Sequence, residues 1–382
     1  MVTGRQVGYV DAAHGGHTVQ NKTVVSESEL LAEAAKIAET LTKHAAEHDR
    51  EASLPVEGID AILASPINTS LHDGASWTAF AQIVGTLAKG DPSAATIWLM
   101  HQGASWLLKS LPNHDLAASF ESKVRSGAWF GNALSEPTGG NLFLMPLQAA
   151  ERVEGGWRLS GAKRFVSGCE RAEHFLVNAL CDGVPGFFLI DKDETIGIED
   201  IWDTMGMRGT RSQLVHFNGT LLPEARRANV SMDAPNPIPV GLPWLSIGIA
   251  QAAMEFAIEY AKNRVIPVKN QPLSHLQWVQ FAVADMAITL DAATALATRA
   301  ATATDTRDPR AGILHFEAKV AANEAAAKIA ASALKISGGT GYLKKHPIER
   351  HFRDAVSGQL MAWSTEVTRD FLGKLLLGLP PG

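Results

Sequence analysis

Between residues 26 and 49 the apolar positions keep a helical period. Leu30, Ala34, Ile37 and Leu41 fall on one face of SESELLAEAAKIAETLTKHAAEHD, which predicts an amphipathic helix. Ser26 stands three residues before Glu29, the spacing of a capping box. A second helix is predicted over about 76–88. A third opens at Asp91-Pro92, where the aspartate can cap and the proline can take the first turn, and it carries Ile97, Leu99, Met100 and Trp106. Residues 1–25 read as a loose polar arm and residues 26–127 as an all-helical domain.

The period changes near Ala128. WRLSG, KRFVSG, HFLVNALC, GFFLI and QLVHF are short runs rich in Val, Phe and Leu, separated by Gly or charged clusters. These are strand signals at the spacing of a sandwich or barrel, and they predict a middle β-domain over 128–233. After a Pro-rich linker over 234–243 the helical period returns, with long helices expected over 244–264, 273–302 and 311–337 and a shorter one from about 359. Residues 234–382 therefore read as a four-helix bundle, its third helix Ala-rich enough for close packing.

Composition removes several classes. The 382 residues suit two or three units, and 46% hydrophobic with 19% charged residues is ordinary for a globular chain. Thirty-four basic against 40 acidic residues leave a net charge of −6, so no electrostatic footprint for nucleic acid exists. Two cysteines, Cys169 and Cys181, argue against a disulfide framework and suit a reducing cytoplasm. The chain opens without an apolar leader segment. Its longest charge-free stretch, 234–254, is broken by four prolines, which favours a buried helix over a membrane span. Thirteen histidines include no H-E-x-x-H, and His44 with His48 lacks a third ligand, so no metal is expected. Phosphate-binding and hydrolase signatures are also missing.

Five motifs then occur in order: NALSEPTGGN (132–141), WRLSGAKRFVSG (157–168), GMRGTRS (206–212), SGGTGY (337–342) and IERHFRDA (348–355). Together they resemble the acyl-CoA dehydrogenase superfamily, whose pattern is T-E-P, W-x-L-x-G-x-K-x-W-I-T-N, G-x-R-x-S, Q-x-x-G-G-x-G-Y and R-D-A. The resemblance runs from about residue 26 to the C-terminus. It implies an α+β fold with an N-terminal helical domain, a middle β-domain and a C-terminal bundle, assembled as a homodimer or homotetramer. It also implies a flavin, FAD in preference to FMN.

The resemblance places the flavin's polar edge at Leu134 and Ser135, with Gly140 allowing close backbone approach. Phe165 stands where the family has a tryptophan beside the isoalloxazine, and Ser167 where it has a threonine facing N5. Arg264, Gln277, Lys335, Gly338 and Gly339 match positions that hold the pyrophosphate and adenosine between subunits. Lys335 replaces a glutamine there, and Gly338-Gly339 also suits a helix C-cap. Asn141 and Ala362 are assigned to the substrate side, and His101 to a substrate contact or proton donor.

Removing a thioester α-proton needs a positioned carboxylate. The family supplies a glutamate shortly after R-D-A, and alignment on Arg353-Asp354-Ala355 puts Ala362 there. The alternative address, near 236–239, holds no acid either. Three explanations stand open: a base relocated to Glu366, one turn further on; a partner subunit that carries the base; or a reaction that needs none. Ser167-Gly168-Cys169 and IEDIWDTMGMRGTRS (198–212) resemble flavin monooxygenases of this fold and favour the last. The reading is a cytoplasmic flavoenzyme of the acyl-CoA dehydrogenase fold that acts on an acyl thioester, atypically and with O₂. The alternatives are a dehydrogenase that passes electrons to an electron-transfer flavoprotein, and a non-catalytic flavin- or CoA-binding subunit. An oxygenase would also draw on a flavin reductase.

Overall fold

The computed structural model describes residues 25–140, 143–231 and 234–380. The arm expected over 1–25 falls outside them except for Val25, and so does Asn141. Five helices come first: α1 (Glu27–Glu51), α2 (Val56–Leu63), α3 (Trp77–Gly90), α4 (Pro92–Trp106) and α5 (His114–Arg125). The capping box forms as expected: the Ser26 amide donates to Glu29 Oε2 at 2.8 Å, and Ser26 Oγ accepts from the Glu29 amide. Leu30, Ala34, Ile37 and Leu41 are the buried face of α1. Asp91 caps α4, accepting from the Ser93 amide, with Pro92 in the first turn.

Seven strands follow in two sheets. β1 (Phe130–Ala133) pairs in parallel with β4 (His174–Cys181), which pairs antiparallel with β5 (Val184–Asp191). The second sheet has the order β2 (Glu151–Val153), β3 (Gly156–Val166), β7 (Gln213–Pro223), β6 (Ile196–Glu199). WRLSG and KRFVSG belong to one strand, β3, because the register shift between Lys163 and Val166 is a bulge rather than a break.

The C-terminal helices are α6 (Pro237–Asn263), α7 (Gln277–Asp305), α8 (Ala311–Gly341), α9 (Ile348–Ser357) and α10 (Thr365–Leu376), with a small hairpin β8 (Val265–Ile266) and β9 (Gln271–Pro272) after α6. Two expectations need correction. α6 begins seven residues earlier than expected, because Pro237 and Pro239 lie in its first turn, where amides have no helical partner, and Asn236 caps it. The single short helix expected from about 359 is two helices joined by a turn over 358–364. α9 escaped detection because its buried face carries Arg350, His351 and Asp354, which mask an apolar period. The main core joins α1, α3, α4, α6, α7 and α8 with the inner faces of the sheets, around Trp98, Trp129 and Trp157.

Candidate active site

Phe165 sits in the bulge of β3 at φ 59°, a left-handed conformation that costs a non-glycine residue about 1–2 kcal/mol. Its ring is 51% exposed, edge-on to Trp202 and under the Arg164 guanidinium. Strained backbone of this kind clusters at active sites and ligand clamps. The Arg164 amide donates to the Ser135 carbonyl at 2.8 Å, so the chain after β1 runs beside Phe165. Leu134, Ser135 and Phe165 thus share one ledge, and Gly140, at φ 56°, has open space where a Cβ would stand.

The ledge rests on a buried ion pair that the sequence reading did not single out. Lys163 Nζ donates to Glu136 Oε1 and to Asn178 Oδ1, both at 2.8 Å, with Lys163 wholly buried and Glu136 nearly so. Burial pushes the Lys163 pKa down, and Glu136 opposes that shift. Glu136 also accepts from the amides of Leu147 and Gln148, and Asn178 donates to the Phe143 carbonyl. Glu136 and Lys163 are letters of two of the quoted motifs, so the signal was present in the sequence.

Ser167 is buried, and its Oγ lies 2.8 Å from Ser212 Oγ. Ser212 Oγ lies 2.9 Å from Thr210 Oγ1, which donates to the Met207 carbonyl at 2.8 Å. Cys169, next along, is fully buried, and burial pushes its thiol up to about 12, so it is a packed side chain rather than a reactive thiolate.

Ala362 lies in the turn between α9 and α10, and both Ala362 and Trp363 are left-handed, at φ 49° and 71°. The turn is clamped from α8. Lys319, 3% exposed, donates to the carbonyls of Trp363 and Gly358, and Asn323 also donates to Gly358. Burial lowers the Lys319 pKa to about 8, against an opposing pull from the Glu366 charge. The Trp363 indole packs on Phe143 from the β-domain and on Phe316 of α8, with ring centroids 4.8 and 5.3 Å apart. Glu366 is exposed on the first turn of α10.

His101 is not placed to meet a substrate. It is fully buried, stacked on Trp129, and its Nδ1 accepts from the Phe130 amide at 3.0 Å. Burial lowers its pKa to about 3, so it is a neutral core histidine.

Arg264, Gln277, Lys335, Gly338 and Gly339 are all exposed at the other end of the bundle. The Leu273 amide donates to the Arg264 carbonyl, and His346 packs against Phe256 and Tyr260 near the end of α6, which brings these segments together. Gly338 breaks α8 at φ 58°, and neither Gly338 nor Gly339 has an atom within 4 Å of a notional Cβ. Gly338 lies nineteen residues beyond Lys319 on α8, about 28 Å at the helical rise. The structure therefore does not bring this group to the turn at 358–364, which packs on the β-domain.

These features fit a flavin. The ledge offers an exposed aromatic ring, a half-buried serine and a glycine with open space. The distant group offers two cations, Arg264 and Lys335, and a glycine turn with open space at both glycines. Among the described residues no cluster of His, Cys, Asp or Glu suits a metal.

Residues 131–220 match the family described as "Acyl-CoA dehydrogenase, middle domain", and residues 240–377 match "Acyl-CoA dehydrogenase, C-terminal domain". The chain is 31% identical over 265 residues to the bovine mitochondrial short-chain specific acyl-CoA dehydrogenase, covering 66% of this chain and 63% of that one, less than two thirds of its length. It is 30% identical to an acyl-CoA dehydrogenase of Bacillus subtilis, covering 70% and 73%. Among solved structures, butyryl-CoA dehydrogenase from Megasphaera elsdenii superposes with a TM-score of 0.85 at 22% identity, over 94% of this chain and all of that one. A prolyl acyl carrier protein oxidase superposes with a TM-score of 0.79 at 18% identity, over 90% and 99%. A ternary complex of TdsC from Paenibacillus with FMN and indole gives 0.82 at 20% identity, over 92% and 98%. At these identities the structures speak for the fold alone.

Proposed function

Because this chain belongs to the acyl-CoA dehydrogenase family, we propose that it is an FAD-dependent oxidoreductase that oxidises an acyl thioester without the usual glutamate base and uses O₂. The observation that carries this reading is the turn over 358–364. Ala362 stands at the expected address of the base, and Glu366 faces solvent one turn away. FAD, when bound, supplies a two-electron acceptor. Leu134, Ser135, Gly140, Phe165 and Ser167 would hold its ring end, with Phe165 as the flat contact. Arg264, Gln277, Lys335, Gly338 and Gly339 would hold its phosphates.

The separation of those two groups supports a site completed by a second copy. So does α7, which leaves Trp278, Phe281 and Ile288 exposed along one face. Burying such a face against a twin would remove apolar area from water. The Phe143–Trp363 contact would close the cleft between the β-domain and the bundle, and excluding water there protects a reaction with O₂.

A dehydrogenase that hands electrons to an electron-transfer flavoprotein is the second reading. One observation favours it: Glu366 stands in the first turn of α10, immediately after the left-handed turn that carries Ala362. The test has two arms: the protein loaded with oxidised FAD is mixed anaerobically with an acyl-CoA and then oxygenated, and the protein loaded with chemically reduced FAD plus the acyl-CoA is mixed with buffer containing ¹⁸O₂. Label in the product supports the proposal. Bleaching by the acyl-CoA with no reaction on oxygenation supports the dehydrogenase.

A further inference from the structure

The hydroxyls of Thr210, Ser212 and Ser167 form a chain whose direction is fixed by its far end. The Met207 carbonyl can only accept, so the single Thr210 hydroxyl proton is committed to it, at 2.8 Å. Thr210 Oγ1 can then only accept from Ser212, at 2.9 Å. That commits the Ser212 proton, so in the 2.8 Å contact between the serines Ser167 must be the donor. Every hydroxyl proton points inward, toward Met207. All three side chains are buried, so water does not readily supply an alternative partner. The backbone reinforces the arrangement, because the Gly168 amide donates to the Thr210 carbonyl at 2.9 Å and locks the two segments together.

Resting on the flavin placement proposed above, we infer that Ser167 presents only lone pairs to the ring and so acts as a hydrogen-bond acceptor that favours reduced over oxidised FAD. Reduced flavin carries a proton on N5 and can donate to an acceptor. Oxidised flavin offers a lone pair at N5, which an acceptor opposes. Ser212 and Thr210 are positioning residues: they do not touch the ring but decide which way the Ser167 proton faces. The consequence is a protein tuned to hold flavin in its reduced state, the state in which flavin meets O₂.

The midpoint potential of bound FAD tests this in the FAD-loaded protein. Ser212→Ala removes the acceptor of the Ser167 proton and frees it to face the ring. Ser167→Thr keeps both the hydroxyl and its partner. The expected result is a potential lowered in Ser212→Ala by about 30 mV, a tenfold loss of preference for reduced FAD, with Ser167→Thr close to the parent. A purely structural role for Ser212 would weaken both redox states alike and leave the potential unmoved. That outcome, with FAD still bound, overturns the inference alone. Failure of the parent protein to bind FAD in either redox state overturns the flavin placement and this inference with it.

Discussion

Lys319 Nζ lies 2.8 Å from the carbonyl oxygen of Trp363 and reaches the carbonyl of Gly358 as well, so one buried ammonium holds both ends of the turn that carries Ala362. Two consecutive left-handed residues that are not glycine would not persist without such a clamp. Lys319→Met leaves the Trp363 carbonyl without its donor, while Asn323 still serves Gly358. The expected cost is about 1–3 kcal/mol, reduced in part because the methionine is easier to bury than an ammonium. Hydrogen exchange over 358–364 should quicken while the rest of α8 stays protected. Unchanged exchange in the turn would show that Lys319 is not the clamp.

A second prediction concerns the ledge. Lys163→Met strands the Glu136 carboxylate in the core, and breaking a buried pair costs about 3–5 kcal/mol. The denaturant midpoint should fall accordingly. The double variant Lys163→Met/Glu136→Leu should recover part of the loss, because no unpaired charge remains. A double variant no more stable than Lys163→Met would count against the ion pair as the cause.

The sequence made much of this visible, and what it hid has physical causes. The period of α1, its capping box and the Asp91-Pro92 start of α4 were readable because apolar faces and caps are local signals. The N-terminal turn of α6 was obscured by prolines, which read as a linker until Asn236 is seen to cap them. α9 was hidden by Arg350, His351 and Asp354 on its buried face. The residues of the ledge, Leu134, Ser135 and Phe165, are pointed to by the family resemblance and not by periodicity. Their support by Lys163 and Glu136 depends on a contact 27 residues apart that no periodicity reveals. His101 was named for its place on a helix, and only burial shows that it faces Trp129 and the Phe130 amide instead.

Stability should fall in acid, and the sign follows from four histidines. Burial lowers His101 and His351 to about 3 and His72 and His315 to about 4. Their unfolded pKa is 6.5, so the unfolded chain takes up protons first as the pH drops. The stability they contribute is full above pH 6.5 and is lost as pH falls from there through about 4 for His72 and His315 and about 3 for His101 and His351. Asp354 acts in the opposite sense: burial raises it to about 7, so its contribution is full below its unfolded value and fades as pH rises through 7. Urea midpoints of the parent should therefore drop steeply between pH 6 and 4, and Asp354→Asn should gain relative stability as pH rises from 6 to 8. A parent midpoint that is flat from pH 6 to 4 would contradict the histidine assignment.

Restoring a carboxylate at the empty address provides a fourth test. Ala362→Glu should speed anaerobic reduction of bound FAD by an acyl-CoA, on the scale of ~10²–10⁴ for a positioned general base. Glu366→Gln should leave the rate unchanged. A rate that collapses in Glu366→Gln would identify Glu366 as the relocated base and displace the reading that no base is needed.

Whether a flavin ring lies on the ledge formed by Phe165 is decided by Phe165→Gly. Glycine accepts φ 59° without strain, so the folded protein should keep its stability or gain about 1 kcal/mol. FAD binding, measured by equilibrium titration, should weaken at least about tenfold in that same protein, since a stacked aromatic contact is worth about 0.5–1.5 kcal/mol beyond the area it buries. A Phe165→Gly protein that is folded and binds FAD as tightly as the parent would contradict that placement.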